Sequence, residues 1–331
     1  MRVALDALGT DSAPGPEVEG ALAALEADHR ELTLVLVGDE DQIRAELARH
    51  GGRVPTDRLE VIHAPDRILP SESPATAVRR RRDSSIVRGI DLQKSGAVDA
   101  FVSAGSTGAV MAGSLIKLRP LAGVDRPAIG TMLPTSKGAT LMLDAGANVD
   151  CKPRHLHQFA LLGQIYAQDS MGVENPRVAL LNIGEEAEKG DELALESYEL
   201  LSRESRLNFI GNVEGRDIIG GRCDVLVCDG FIGNVLLKFY ESVAEFIVSL
   251  LHDEMERSGT ELDLHGTFRV LDYAEYGGAP LLGVNGITII CHGSSPPKAI
   301  QNAIGVAVRA VDSRMVTHMA GALAENQASS A

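Results

Sequence analysis

The sequence predicts an α/β protein whose largely parallel sheet is covered by helices on both faces. Three observations carry that prediction. Short β-branched runs alternate with amphipathic stretches of helical length. Near-continuous apolar runs such as Leu32-Thr33-Leu34-Val35-Leu36-Val37 suit strands buried on both faces. The chain also carries 34 glycines among 331 residues, enough for many tight strand-to-helix corners, while aromatics are only 4% with no Trp, so the core is aliphatic.

In chain order, Arg2–Asp6 reads as the first strand and Gly15–Ala27 as the helix that follows it. Leu32–Val37, helix Asp39–Arg49 and strand Leu59–His63 repeat the unit. Strand Ala100–Ser103 turns through a Gly-rich corner into helix Thr107–Lys117. Two further strands, Ala128–Leu133 and Ala139–Leu143, precede helix His155–Asp169. Strand Arg177–Asn182 leads to helix Leu193–Ser205, strand Asp224–Cys228 to helix Asn234–Arg257, and Gly286–Cys291 is the last strand. No internal repeat or long low-complexity linker interrupts the pattern. The expectation is a single domain over residues 1–324, open to division into two lobes sharing one sheet, with 325–331 as a flexible tail.

Composition excludes several classes. A chain 44% hydrophobic and 23% charged is globular rather than disordered. A formal charge of −15 argues against a nucleic-acid partner, which a polyanion of this sign would repel. The opening Met1-Arg2-Val3-Ala4-Leu5-Asp6 reads as a strand and not a leader, and no apolar run approaches bilayer length, so a cytoplasmic location is expected. Cys151, Cys223, Cys228 and Cys291 lack C-x-x-C spacing and nearby paired histidines, which favours buried thiols over a zinc site or disulfide. No metal site and no cofactor is expected.

In open α/β sheets, ligands bind beyond the carboxyl ends of strands. Five corners there stand out. The first offers Ser103, Gly105, Ser106, Thr107 and Gly108, small residues whose first-turn N–H groups suit an anion, although an ordinary helix cap has the same look. The second, Leu143-Asp144-Ala145-Gly146-Ala147-Asn148-Val149-Asp150, reads as a structural turn. The third holds Asn182, Gly184, Glu185 and Lys189; the lysine is placed to meet a phosphate as a point charge, against the plainer reading of a solvated helix start. The fourth, Asp229, Gly230, Gly233 and Asn234, sets Asn234 either as the next helix's N-cap or as an amide donor to a developing oxyanion. The fifth is His292, Gly293 and Ser294, where a lone histidine is more often structural. With no G-x-G-x-x-G or Walker pattern anywhere, these corners point to phosphate or a phosphorylated ligand rather than a dinucleotide.

On these motifs the chain resembles the PlsX family of phosphate acyltransferases. The matching stretches include Leu5-Asp6-Ala7, Val102–Ala109, Leu143–Pro153, Leu180–Gly190, Asp224–Lys238, Tyr276–Gly286 and His292-Gly293-Ser294-Ser295, from Leu5 to Ala303 in all. The resemblance implies a three-layer αβα fold similar to isocitrate/isopropylmalate dehydrogenases and phosphotransacetylases, usually as a homodimer. It implies formation of acyl phosphate from fatty acyl carrier protein and inorganic phosphate, with catalysis centred on Lys189 and Asn234. Leu8, Thr10 and Ser12 depart from the family's usual Met, second Gly and His, and Ser106 from its usual Asn.

An acidic carrier protein needs a basic docking patch. Arg79, Arg80, Arg81, Arg82 and Arg88 form the strongest local candidate, against the plainer reading of a solvated helix face. Phe239–Leu251 is amphipathic and reads as core or dimer packing. Family members touch the membrane through an apolar tip after this helix; here Ser258–Gly266 is polar and short, so direct membrane binding is expected to be weak or absent. Peripheral association with the membrane, or with a membrane glycerol-phosphate acyltransferase, stays open. Rival readings are a phosphotransacetylase-like enzyme using short acyl-CoA, an NAD-dependent decarboxylating dehydrogenase, and a non-catalytic carrier-protein scaffold.

Overall fold

The computed structural model of the chain describes residues 1–27, 32–51, 54–55, 57–259 and 273–329. In chain order its strands are β1 (Arg2–Asp6), β2 (Thr33–Gly38), β3 (Leu59–His63), β4 (Ala100–Ser103), β5 (Ala128–Thr135), β6 (Gly138–Leu143), β7 (Arg177–Leu181), β8 (Asn208–Val213), β9 (Val225–Val227), β10 (Ala279–Leu282) and β11 (Ile287–Ile290). The first helices are α1 (Gly15–Ala27), α2 (Glu40–His50), α3 (Pro74–Arg80), α4 (Ser85–Lys94), α5 (Thr107–Lys117) and α6 (Pro153–Met171). They are followed by α7 (Glu192–Arg203), α8 (Gly215–Ile218), α9 (Gly230–Ser258), α10 (Tyr273–Tyr276), α11 (Pro297–Asp312) and α12 (Met315–Ser329).

The chain divides into two compact units: Met1–Pro127 with Asp169–Met171 and Tyr276–Ala331, and Ala128–Gln168 with Gly172–Glu275. In the first unit the strand order is β3-β2-β1-β4-β11-β10. All of these run parallel except β10, which is antiparallel to β11. β1 is central, with Leu5 in register with Leu36 on one side and Val102 on the other. Its apolar residues Val3, Ala4 and Leu5 are fully buried, as a strand covered on both faces requires. In the second unit the order is β5-β6-β9-β7-β8, parallel from β6 onward, with β5 antiparallel to β6. The cores are aliphatic, with Phe101 and Phe159 the largest fully buried side chains among the described residues.

The parallel α/β class is as the periodicity predicts. Two strands lie outside the predicted set. β8 carries Asn208, Gly211 and Asn212, residues that read as a turn, and β10 carries Pro280, which argues against a ladder strand. Asn234 does not cap the helix after β9. Asp229 does, its carboxylate accepting from the N–H groups of Phe231 and Ile232, because the helix begins four residues earlier than expected. The tail expected from Glu325 overlaps α12, which runs to Ser329; residues 330–331 lie outside the described residues. Of Ser258–Gly266, residues 260–266 lie outside them too.

One face of α9 is exposed rather than buried in core. Phe231, Val235, Phe239, Val243, Phe246 and Leu250 follow one another at helical spacing, with Phe239 67% and Phe246 61% exposed. Among the described residues no helix is long and apolar enough to cross a membrane.

Candidate active site

In the second unit, the loops after β6, β7 and β9 leave the carboxyl ends of neighbouring parallel strands. The loop after β6 is built around Asp144, which is fully buried. Its carboxylate accepts from the backbone N–H groups of Ile129 (3.0 Å), Gly146 (3.3 Å), Ala147 (3.1 Å) and Asn148 (2.6 Å), and from Asn148 Nδ2 (2.9 Å). Burial pushes this carboxyl up, and the N–H donors pull it back.

The same loop seats the start of α9. Asn148 O accepts from Gly230 N–H at 2.8 Å, and Gly233 rests so closely on the Asp144 carbonyl that no side chain fits there. Gly146, at φ +134°, clears space beside Asn234: a Cβ on it would stand 3.3 Å from Asn234 Cβ. Asn234 is thus exposed in the early turns of α9, with its amide next to Gly146.

The loop after β7 is closed by Asn182. Its Nδ2 donates to Lys189 O at 2.9 Å, and its Oδ1 accepts from Ile183 N–H at 2.8 Å. Asn212 Nδ2 donates to Glu186 O at 2.8 Å, and Gly190 at φ +105° turns the chain into the Asp191 cap of α7. Gly184 packs on the Lys189 stem, and the Lys189 side chain is exposed. Glu185 is held by Arg222 through a two-pronged ion pair, which keeps its carboxyl below the usual range. Within this unit Lys189 and Asn234 are both exposed at these corners, Lys189 beside the exposed Glu186 and Glu188. Asn182, Gly184, Asp229, Gly230 and Gly233 shape the loops that present them.

In the first unit, the corners after β1, β4 and β11 are linked to one another. Ser103 is buried, donates from Oγ to Asp6 Oδ2 at 2.6 Å and accepts from Gly105 N–H at 3.0 Å. Asp6 Oδ1 accepts from Leu8 N–H at 3.0 Å, and burial pushes the Asp6 carboxyl up. Ser106 caps α5 without a side-chain bond; it and Gly108 are half-buried, and Thr107 is exposed. His292 Nδ1 accepts from Ser294 N–H at 3.3 Å and lies 2.7 Å from Ser294 Oγ, and Gly293 O accepts from Asp11 N–H at 2.8 Å.

The arginine tract spans the end of α3 and the turn into α4. Arg79, Arg80 and Arg82 are exposed, whereas Arg81 pairs with Glu72 (2.8 Å) and Arg88 with Asp83 (2.7 Å). Cys223, Cys228 and Cys291 are buried, and burial pushes Cys223 and Cys291 up to about 12, so these thiols are poor nucleophiles at neutral pH. Sequence reasoning did not single out Asp144, Asp6, Glu17 or Arg222. Asp144 lay in view as part of a turn, but only the fold shows how many donors converge on it.

The family described as "Fatty acid synthesis protein" matches residues 1–318. Among relatives, the chain is 53% identical over 324 residues to a phosphate acyltransferase of Heliobacterium modesticaldum, covering 96% of each chain. It is 51% identical over 326 residues to one of Pelotomaculum thermopropionicum, covering 96% of this chain and 93% of the other. In structure it is similar to the EutD phosphotransacetylase from Staphylococcus aureus, with a TM-score of 0.60 at 16% identity over 95% of this chain and 94% of that one. A phosphotransacetylase from Streptococcus pyogenes gives a TM-score of 0.62 at 15% identity, over 94% of each. At those identities the likeness is one of fold.

Proposed function

The chain belongs to the phosphate acyltransferase family of fatty acid synthesis proteins, and from that premise we propose that it forms acyl phosphate from fatty acyl carrier protein and inorganic phosphate, an early step toward phosphatidic acid. The observation that carries the assignment of roles is the presentation of one cation, Lys189, and one amide, Asn234, from corners after the neighbouring strands β7 and β9.

The reaction needs no covalent enzyme intermediate. A phosphate oxygen attacks the thioester carbonyl carbon, the carbonyl oxygen takes up negative charge, and the C–S bond breaks to give acyl phosphate and a thiolate that takes a proton. Lys189 is assigned to phosphate as a point charge and to protonation of the departing sulfur. Asn234 is assigned to the oxyanion, where an amide donor fixed beforehand stabilises charge as it develops. In the first unit, the backbone donors of Gly105–Gly108 and Gly293–Ser295 are read as an anion cradle. Arg79, Arg80 and Arg82 are the exposed cations offered to an acidic carrier protein. A homodimer belongs to the same proposal, with the exposed apolar face of α9 as the surface it buries. Light scattering at micromolar concentration reads this directly, and a monomer there removes it.

The deciding experiment is acyl-phosphate formation from palmitoyl carrier protein, with palmitoyl-CoA and acetyl-CoA in parallel, for wild type, Lys189→Ala, Asn234→Ala and Arg80→Glu. Loss of one oxyanion donor typically lowers turnover by about 10²–10³, so both active-site variants are expected to fall that far while staying folded. Arg80→Glu is expected to raise KM for the carrier-protein donor alone. Preference for acetyl-CoA points to the phosphotransacetylase-like reading. A folded Lys189→Ala enzyme at wild-type rate removes the lysine from the mechanism.

A further inference from the structure

The corner after β1 contains none of the residues assigned above, yet it is wedged between two corners that do. Gly9 lies so close to the β4 corner that a Cβ on it would stand 2.8 Å from Ala104 N and 2.9 Å from Gly105 N. Two residues on, Asp11 N–H donates to Gly293 O at 2.8 Å, and the Asp11 carboxylate flanks Gly293. The shape of Gly9-Thr10-Asp11 therefore fixes where both neighbouring backbones lie.

That shape is gripped from two sides. Arg67 Nη2 donates to Gly9 O and to Thr10 O, each at 3.0 Å. From the other side comes Glu17, in the first turn of α1 and fully buried. Its Oε1 accepts from Thr10 N–H at 2.7 Å, and its Oε2 meets Thr10 Oγ1 at 3.0 Å. Burying a carboxyl is costly unless its hydrogen bonds are made, and here they are spent on a loop residue rather than on packing α1.

We propose that Glu17 is a positioning residue for phosphate: by holding Thr10 it sets the Gly9–Asp11 wedge, and through the wedge the spacing of the backbone donors at Gly105–Gly108 and Gly293–Ser295. The proposal rests on reading those corners as an anion cradle. Glu17 itself touches no substrate, so its removal acts on phosphate affinity more than on the bond-breaking step.

The test pairs steady-state kinetics, with phosphate varied, and hydrogen exchange of segments 103–108 and 292–295 in the substrate-free chain. The variants are Glu17→Ala, Glu17→Gln and Thr10→Val. Glu17→Ala is expected to raise the phosphate KM about tenfold, with kcat and the acyl-donor KM little changed, and to speed exchange in both segments. Glu17→Gln is expected to restore both readouts, since its Oε1 still accepts from Thr10 N–H and its Nε2 can donate to Oγ1. Thr10→Val keeps one bond and loses the other; it falls between, and carries the test if Glu17→Ala does not fold. Wild-type phosphate KM and unchanged exchange in a folded Glu17→Ala, or in Thr10→Val where only that folds, overturns the proposal. So does a Glu17→Gln as damaged as Glu17→Ala. If the wild type makes no acyl phosphate, the reading of the site fails, and the exchange data alone still decide whether Glu17 sets the two corners.

Discussion

Each unit places a buried aspartate at the carboxyl end of a strand, Asp6 as the last residue of β1 and Asp144 just after β6, and the two solve different problems. Asp144 collects backbone N–H groups, four of them, plus the Asn148 amide, and all but one come from its own loop. Asp6 takes one backbone N–H and then the hydroxyls of Ser103 on the adjacent strand and of Ser85 at the start of α4. Asp144 thus organises chiefly its own loop, while Asp6 ties the β1 corner to neighbouring segments through side chains. A carboxylate that holds its own loop fixes the shape of one corner, and one that reaches a neighbour fixes the spacing between corners.

The sharpest way to break this comparison is to make the same substitution in both places. Peptide N–H groups can only donate, whereas a hydroxyl can turn round and accept. In Asp144→Asn, the new NH2 faces Asn148 N–H and Nδ2, donor against donor, within a buried loop. The expected cost is about 3–5 kcal/mol, with activity lost as the seat of Asn234 distorts. In Asp6→Asn, the retained oxygen keeps Leu8 N–H, and the hydroxyls of Ser103 and Ser85 can turn to suit the new NH2, so the cost is expected to be only about 1 kcal/mol. Urea unfolding of the two variants side by side measures the difference. Equal losses mean that the partners' chemistry is not what separates the two corners.

How much of this was legible beforehand follows the same division. The strands that hold the corners, and the small and polar residues after them, are local patterns, and β1, β4, α1 and α5 lie where periodicity places them. Lys189 and Asn234 are visible in a few adjacent letters as a cation and an amide beside a Gly turn, but their catalytic roles come from the family resemblance and not from those letters. The residues that organise the corners are not visible in that way. Glu17 looks like any acidic residue in a first helical turn until α1 is folded against the β1 corner and Thr10 comes within reach of both oxygens. Arg67 sits 57 residues from Thr10, and Ser103 sits 97 from Asp6. β10 was hidden by Pro280, and the true start of α9 by two glycines that read as loop but are required for the helix to approach Asp144. Local spacing reveals what is presented, and long-range contact reveals what holds it.

A smaller effect separates the units by charge. At Asp144 the partners named above are all N–H donors, which draw the carboxyl down against the burial that raises it, the net direction being upward. Glu17 is different, because a protonated carboxyl can still accept from Thr10 N–H and donate to Oγ1. Burial pushes Glu17 from its ordinary 4.5 up to about 7, with the Asp6 charge adding to the rise and the Thr10 bonds opposing it. Below pH 4.5 both folded and unfolded chains hold this proton, and its stabilising contribution is complete. Between there and about 7 only the folded chain holds it, so the contribution falls as pH rises, and above 7 it is gone. The loss amounts to about 1–3 kcal/mol across that window. Glu17→Gln cannot titrate, so it is expected to gain on the wild type by that amount between pH 5 and pH 8 while leaving the phosphate KM intact. Reversible unfolding of both proteins at the two pH values reads the gain. A constant difference would mean that Glu17 keeps its charge when buried, and that the β1 corner is held by a carboxylate anion rather than by a carboxyl that tolerates its proton.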